Sequence, residues 1–411
     1  MTQIELAWGE GPSQEYDGIA GRFRPVFARI ADGAAAREVA QGRPAEPILW
    51  LKEAGFARAR LPVEEGGLGL RLSEQFALLI ELSEADSNVT QALRAHLGFV
   101  EDIVGLPHGE RRALWAGRVA RDETVGSAWT EVGDAPQFGF STRLAERNGR
   151  HFLNGAKFYT TGSLFADWID VGATREADGE TVAVSVRRQA PGVSVVDDWD
   201  GFGQIGTASG TATFVDVDVA DEDFVVEAGR FEYSPAYYQL VHLATLAGIG
   251  RAIVRDVGTL VSTRRRSYSN APSSQPRTDP QVLQVVGRTR GAAYSAGAIV
   301  LQVARSLDRA FEARLAGDAE AYRRAVDIAE LETSQALPVV SSLILDAATV
   351  LFDAVGASAT RKGLALDRHW RNARTLSSHN PRIYKDRIVG DYAVNGTPPP
   401  EQWQIGTPAG A

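Results

Sequence analysis

The hexapeptide Gly201-Phe202-Gly203-Gln204-Ile205-Gly206 has the G-x-G-x-x-G spacing by which a glycine-rich turn can deliver a dinucleotide pyrophosphate to a helix N-terminus. The residues that follow, TASGTATFVDVDVADEDF, exclude that use. Val215, Val217 and Val219 alternate with Asp216 and Asp218, which is the period of a half-buried strand and not of a helix. The hexapeptide therefore reads as a turn between strands. A second chemical signal is STRRRSY, because a guanidinium can grip phosphate through two parallel hydrogen bonds. Arg264 and Arg266 are the candidates, Arg264, Arg265 and Arg266 all remain open as the inward-facing residue, and a solvated basic helix end is the competing reading. Six histidines, His96, His108, His151, His242, His369 and His379, each carry an imidazole, a side chain able to donate or accept a proton, and taken singly each is more often a surface or satisfied core residue than a catalyst. With no cysteine there is no thiolate catalysis, disulfide or cysteine zinc site, and no metal site is expected.

These residues need elements to hold them. From about residue 15 to 120 apolar side chains recur at three and four, as in Ile19, Phe23, Val26, Phe27 and Ile30, and again in Leu72, Phe76, Leu79 and Leu82, with the loop LPVEEGGLGL between. From about 125 to 235 short alternating runs are punctuated by Asn148-Gly149, Asn154-Gly155 and Asp178-Gly179, which is strand and turn chemistry. Long helical periods return from about 236, enough for a bundle of four or five helices. Within that bundle NAPSSQPRTDP, at 270 to 280, lacks periodicity and is expected to be a loop that closes over a pocket.

A formal net charge of −9 argues against a nucleic-acid partner or an anionic membrane surface. The amino terminus lacks the basic and apolar regions of a secretory signal, so a cytoplasmic location is expected. The most apolar stretch, PVVSSLILDAATVLFDAVG, is interrupted by Asp346 and Asp353 and reads as a buried bundle helix rather than a membrane span.

Read in order, LPVEEGGLGL, LNGAKFYTTGSLFADWIDVGA, and GIGRAIVRDV with TRRR resemble the acyl-CoA dehydrogenase superfamily over nearly the whole chain. The resemblance implies a mainly α fold with an inserted β domain: an N-terminal α-helical domain over 1–124, a middle β-barrel domain over 125–235, and a C-terminal helical bundle with its tail over 236–411. TTGSLFADWI, GFGQIGTASGT and DRHWRNARTLSSHNPRIYK are similar to one subgroup, the flavin-dependent monooxygenases like dibenzothiophene monooxygenase. Membership implies a homotetramer that receives FMN as FMNH2, with FAD possible, from a separate flavin reductase. It would oxygenate a small sulfur, nitrogen or aromatic substrate through a C4a-hydroperoxyflavin.

The resemblance also implies roles for residues. Aligning the superfamily's R-D-A-x run on Arg371-Asn372-Ala373-Arg374 sets His379-Asn380-Pro381 where many dehydrogenases carry Tyr-Glu-Gly. Asn380 cannot accept the proton that a dehydrogenase base must remove, which favours oxygenation over an FAD-dependent acyl-CoA dehydrogenase or oxidase. A flavin-free scaffold of the same fold is the third reading. His379 is the expected proton manager and a cofactor contact, His96 a donor on the substrate or peroxide side, and Ser163 a hydroxyl near the flavin N5–C4a edge. The flavin ring would lie against Ser127, Ala128, Trp129, Thr130, Glu131 and Val132, and against Tyr159, Thr160, Thr161, Gly162 and Ser163. Arg264 and Arg266 would take the phosphate, with Ala357 and Ser358 beside them. Two departures leave the substrate open: Ser127 stands where the subgroup usually has Asn, and Thr375-Leu376-Ser377-Ser378-His379-Asn380 lacks the first His of T-H-T-L-H-D.

Overall fold

The structure is a computed structural model that describes residues 8–131, 139–226 and 231–400. Five helices come first, α1 (Tyr16–Val39), α2 (Ala45–Glu53), α3 (Leu72–Ala85), α4 (Ser87–Gly105) and α5 (Glu110–Ala120). In α1 the buried residues Ala20, Phe23, Phe27, Ile30 and Ala34 make one stripe, as the three-and-four spacing predicts. Between α3 and α4 the chain breaks at Asp86, which is extended and caps α4 by accepting the Asn88 N–H at 3.0 Å.

Eight strands follow: β1 (Val125–Ala128), β2 (Arg143–Arg147), β3 (Arg150–Lys157), β4 (Trp168–Arg175), β5 (Thr181–Arg187), β6 (Val193–Val196), β7 (Thr211–Val219) and β8 (Phe224–Val226). They form one sheet in the order β6-β7-β3-β2-β4-β5-β8, with β1 on β4. The expected barrel is corrected here. Among the described residues the ladder does not close, because its end strands β6 and β8 are four and three residues long and pair only with β7 and β5. Asn148 and Gly149 both have positive φ, 55° and 75°, as a two-residue turn between β2 and β3 requires.

The valine alternation of β7 needs one correction. Ala212 and Phe214 face inward, but so do Val217 and Val219, while Val215 is exposed. The inward phase slips by one residue at an irregularity opposite Leu153 and Gly155, where Asp216 takes φ 47° and its N–H donates to Asn154 Oδ1 at 2.9 Å.

The remaining helices are α6 (Ser234–Thr263), α7 (Pro280–Ala316), α8 (Ala319–Val355), α9 (Asp367–Ser378) and α10 (Lys385–Asn395). Among the described residues α8 alone is long and apolar enough to cross a membrane. Its Leu337, Val340, Ile344 and Leu351 are instead buried in the bundle. α1 to α4 share one continuous apolar core with α6 to α9, whereas the sheet has a separate core around Leu153, Ile169, Val184 and Phe214. Even the start of α3 is tied to the bundle: Asp308 of α7 accepts the N–H groups of Leu72 at 2.8 Å and Ser73 at 3.3 Å, a carboxylate at the positive end of the helix.

Candidate functional site

α4 lies between the sheet and the α6–α9 bundle, and the candidate residues gather along it. On the sheet side, β1 runs parallel to β4 with Ser127 opposite Asp170, and no strand covers the other edge of β1 among the described residues. Ser163 is fully buried and donates its hydroxyl to the Ser127 carbonyl at 3.1 Å, close enough that a side chain on Gly126 would overlap it. Thr160 donates both its N–H, at 3.1 Å, and its hydroxyl, at 2.9 Å, to the Gly210 carbonyl. The Thr161 and Ser209 hydroxyls are 2.7 Å apart, and the Gly162 N–H reaches Thr207 O at 3.1 Å. Gly162 has φ 79°, and a Cβ there would overlap the Ala92 carbonyl of α4, so glycine is required for both reasons.

The G-x-G-x-x-G hexapeptide completes this wall. It leads into a short 3-10 turn and then β7, as the turn reading predicts. Gln204 donates its N–H to Asn372 Oδ1 of α9 at 2.6 Å, and Gly206 donates to Asn88 Oδ1 of α4 at 3.1 Å. The part these asparagines play was not legible in the sequence, where Asn372 served only to align a run, because each acts on backbone distant along the chain; the unusual glycine spacing alone marked the place. Trp129 donates to Asp170 Oδ2 at 2.7 Å, and the Thr130 carbonyl accepts from Phe158 N–H at 2.9 Å. Glu131 accepts from Lys157 at 2.7 Å and from the backbone and hydroxyl groups of Ser141 and Thr142. Burial favours its neutral acid, but these bonds hold it down to about 2, whereas burial pushes Lys157 down to about 8 against the pull of Glu131. Tyr159 is half exposed with φ 58°, and its ring meets Trp199 at 6.1 Å. Val132 lies outside the described residues.

His96 and His379 occupy different settings. His96 is buried, its Nε2 donates to the Ala57 carbonyl at 2.7 Å, and its Nδ1 accepts the Val125 N–H at 3.3 Å. Both ring nitrogens are thus committed, Nε2 tying α4 to the segment after α2 and Nδ1 tying it to β1, and burial holds the ring down to about 4. His379, at the end of α9, keeps an exposed edge and donates Nδ1–H to Asn380 Oδ1 at 3.2 Å. Asn380 is buried and donates to Gln239 Oε1 of α6 at 2.6 Å. The dense surroundings and the positive charge of Arg94 both keep His379 below its ordinary titration range, against the pull of Asn380.

A second group sits at the C-terminal ends of α6 and α8. Arg264 donates to the Val355 carbonyl and lies beside Gly356, next to Ala357 and Ser358. Arg266 is exposed and makes no such contact among the described residues. The loop before α7 is exposed at its tip, buries Pro276, and ends in the Asp279 cap of α7. No hydrogen bond among the described residues joins this group to the wall at β1.

The uncovered edge of β1 beside a hydroxyl-rich turn fits a flavin ring, which presents N–H and C=O groups along one edge, and the Arg264 corner fits a phosphate. Comparison with known proteins agrees. Residues 240–381 match the family described as acyl-CoA dehydrogenase, C-terminal domain. The chain is similar to a probable FMNH2-dependent monooxygenase, SfnC, of Pseudomonas putida, at 25% identity over 383 residues that cover 92% of this chain and 94% of that protein. It is also similar to a dibenzothiophene monooxygenase of Mycolicibacterium goodii, at 26% identity over 383 residues, 87% of this chain and 89% of that one. The FMN-bound structure of TdsC from Paenibacillus sp. A11-2 matches with a TM-score of 0.83 and 23% identity over 93% of this chain and 98% of that one, a likeness of fold.

Proposed function

We propose that this chain, which has an acyl-CoA dehydrogenase-like fold and that superfamily's C-terminal domain, is a flavin-dependent monooxygenase of the two-component kind. It takes FMNH2 from a separate flavin reductase and uses O2 to oxygenate a small sulfur, nitrogen or aromatic substrate; the names of its relatives support FMNH2 dependence in one, dibenzothiophene as substrate in another, and monooxygenation in both. One residue carries the reading. Asn380, which the alignment sets where many dehydrogenases carry their base, has its carboxamide held between His379 and Gln239, and a carboxamide cannot take a proton from a thioester.

Bound reduced FMN supplies the two electrons that activate dioxygen. The edge of β1 and the turn at 159–163 bind the ring, and the buried Ser163 hydroxyl fixes the Ser127 carbonyl that belongs to that edge. Arg264, with Ala357 and Ser358, takes the phosphate. His96 acts by fixing the start of β1 through Val125. His379, with Nδ1–H given to Asn380, has Nε2 available to hold and return a proton at the reacting oxygen.

The finer points are part of the same proposal: domains over 1–124, 125–235 and 236–411, a cytoplasmic setting beside the reductase, and a homotetramer. Exposed apolar side chains at Ile383, Val394, Leu283 and Val339, on and around α7, α8 and α10, support the last. The test is to measure affinity for FMNH2, FMN and FAD, then supply FMNH2 from a generic reductase with sulfides, amines and indoles. Tight FMNH2 binding and an oxygenated product are expected. Bleaching of a tightly bound oxidised FAD by an acyl-CoA thioester would replace the reading with dehydrogenation.

A further inference from the structure

His242 lies on α6 one turn beyond Tyr238 and faces the end of α9. It is fully buried, and among the described residues neither ring nitrogen has a hydrogen-bond partner. An imidazole left so inside a protein loses the hydrogen bonds that water would give it, and a buried group of this kind calls for a functional explanation. Its ring centroid is 4.4 Å from that of His379, with the planes inclined by 50°. Behind His379, Asn380 returns to α6 at Gln239, three residues before His242, so one polar chain frames both rings. Arg94 of α4 is the cation on this side; its guanidinium lies 4.6 Å over the Tyr238 ring, and its Nε donates to the Tyr238 carbonyl at 3.3 Å.

We propose that His242 is the proton partner of His379: the two imidazoles form a pair that holds one proton between them, His379 at the open edge and His242 at the sealed end. The proposal rests on the monooxygenase reading for the use of that proton, but the pairing itself belongs to the protein alone. With His379 Nδ1 held by Asn380, its Nε2 serves His242 and the reacting oxygen in turn, and at this separation rotation of the His242 ring about its Cβ–Cγ bond would bring one of its uncommitted nitrogens toward that atom. The pair returns whatever proton it takes. The overall reaction therefore stays balanced: FMNH2, O2 and substrate give FMN, oxygenated substrate and water.

Charge arguments support a shared proton rather than two. Burial opposes charge on His242, and the groups acting on it are His379 from the end of α9 and Arg94 from α4, both of which repel a second positive charge. Asn380, Gln239 and Tyr238 are neutral neighbours that accept or donate without adding charge. His242 is thus a positioning residue, acting on the reaction through His379.

The test uses the full-length protein without flavin and then with FMNH2. With histidine ring nitrogens labelled by 15N, the NMR signals of His242 and His379 should move together through one midpoint on acidification. His242→Phe, which keeps an aromatic ring of similar size, should lower the His379 midpoint by about one pH unit, because the shared proton loses its second acceptor. The same variant should bind FMNH2 within about twofold of the parent, lose oxygenated product by about 10²-fold with hydrogen peroxide released instead, and shift the acid limb of its pH profile. Should His242→Phe fail to fold, His242→Leu, which also removes the second acceptor, carries the same comparison. If His379 titrates alone while the His242 nitrogens keep fixed shifts, and the pH profile is unmoved by substitution, the pair is overturned. If the parent forms no oxygenated product, the monooxygenase reading fails, while the titration still decides the pair.

Discussion

Arg264 and Arg266 are two residues apart and meet different surroundings: one reaches the carbonyl that ends α8, the other stands in solvent. Arg264→Ala alone should weaken FMNH2 binding by roughly 10- to 100-fold, the range for losing charge-assisted hydrogen bonds, with Arg266→Ala close to the parent. Fluorescence titration of each single variant decides the assignment, and equal losses from both would return the phosphate to a shared basic cluster. His96 carries a different prediction. Its folded titration is held to about 4 by burial, below its ordinary 6.5, so between those values the unfolded chain binds the proton and the folded chain does not. Stability from this residue is complete above about 6.5 and is lost as pH falls toward 4, a loss of about 3 kcal/mol. His96→Gln should therefore flatten the fall in urea stability between about pH 7 and pH 4.5, and an unchanged slope would assign the acid sensitivity elsewhere. The family resemblance marked His96 as a donor on the substrate or peroxide side, but its structural role was not legible in the sequence, because the carbonyl of Ala57 and the N–H of Val125 that claim its two nitrogens are contributed by distant segments.

α4 is the element on which the site depends, since it meets the turn at 159–163 on one side and Tyr238 on the other. Two glycines with the same φ of 79° allow this to be tested. Gly162 abuts the Ala92 carbonyl of α4, and Gly179, in the turn between β4 and β5, has open space where its Cβ would go. Gly179→Ala should cost only the backbone strain, about 1 kcal/mol, whereas Gly162→Ala should cost about 2–4 kcal/mol and weaken FMNH2 binding as the turn lifts from the helix. Denaturant melts of the two variants, compared at one temperature, read the difference directly, and equal losses would show that the close approach to α4 is not a constraint. At this scale the sequence was informative about kind and poor about register. Helical stripes such as Phe23, Phe27 and Ile30 repeat often enough to set a phase, whereas β7 changes phase in its middle at Asp216, where a side-chain contact with Asn154 permits an extra residue that no local pattern reveals.

The whole molecule divides differently from its chain order. The first and last helical segments share one apolar core while the strands between them keep their own. The order helix, strand, helix was legible from periodicity, but the shared core was not, because the contact of α3 with α6 and α7 joins segments more than 150 residues apart and leaves no local trace beyond the apolar stripe each presents. The same folding leaves apolar surface unspent. Ile383 is 75% and Val394 81% exposed near α10, with Leu283 on α7 and Val339 on α8 also open. Single apolar residues on a surface are ordinary, but several on neighbouring elements of one helical bundle favour burial against further copies, and closed symmetry would use the same faces on each. Light scattering coupled to size exclusion should therefore give a mass near four times 44.2 kDa. Ile383→Asp combined with Val394→Asp should shift that mass downward while leaving the far-ultraviolet circular dichroism of each protomer intact, because neither side chain belongs to the protomer core. A parent that runs as a monomer at micromolar concentration would remove the tetramer from the proposal. A tetramer that survives both aspartates would move its contacts from α10 to the exposed faces of α7 and α8.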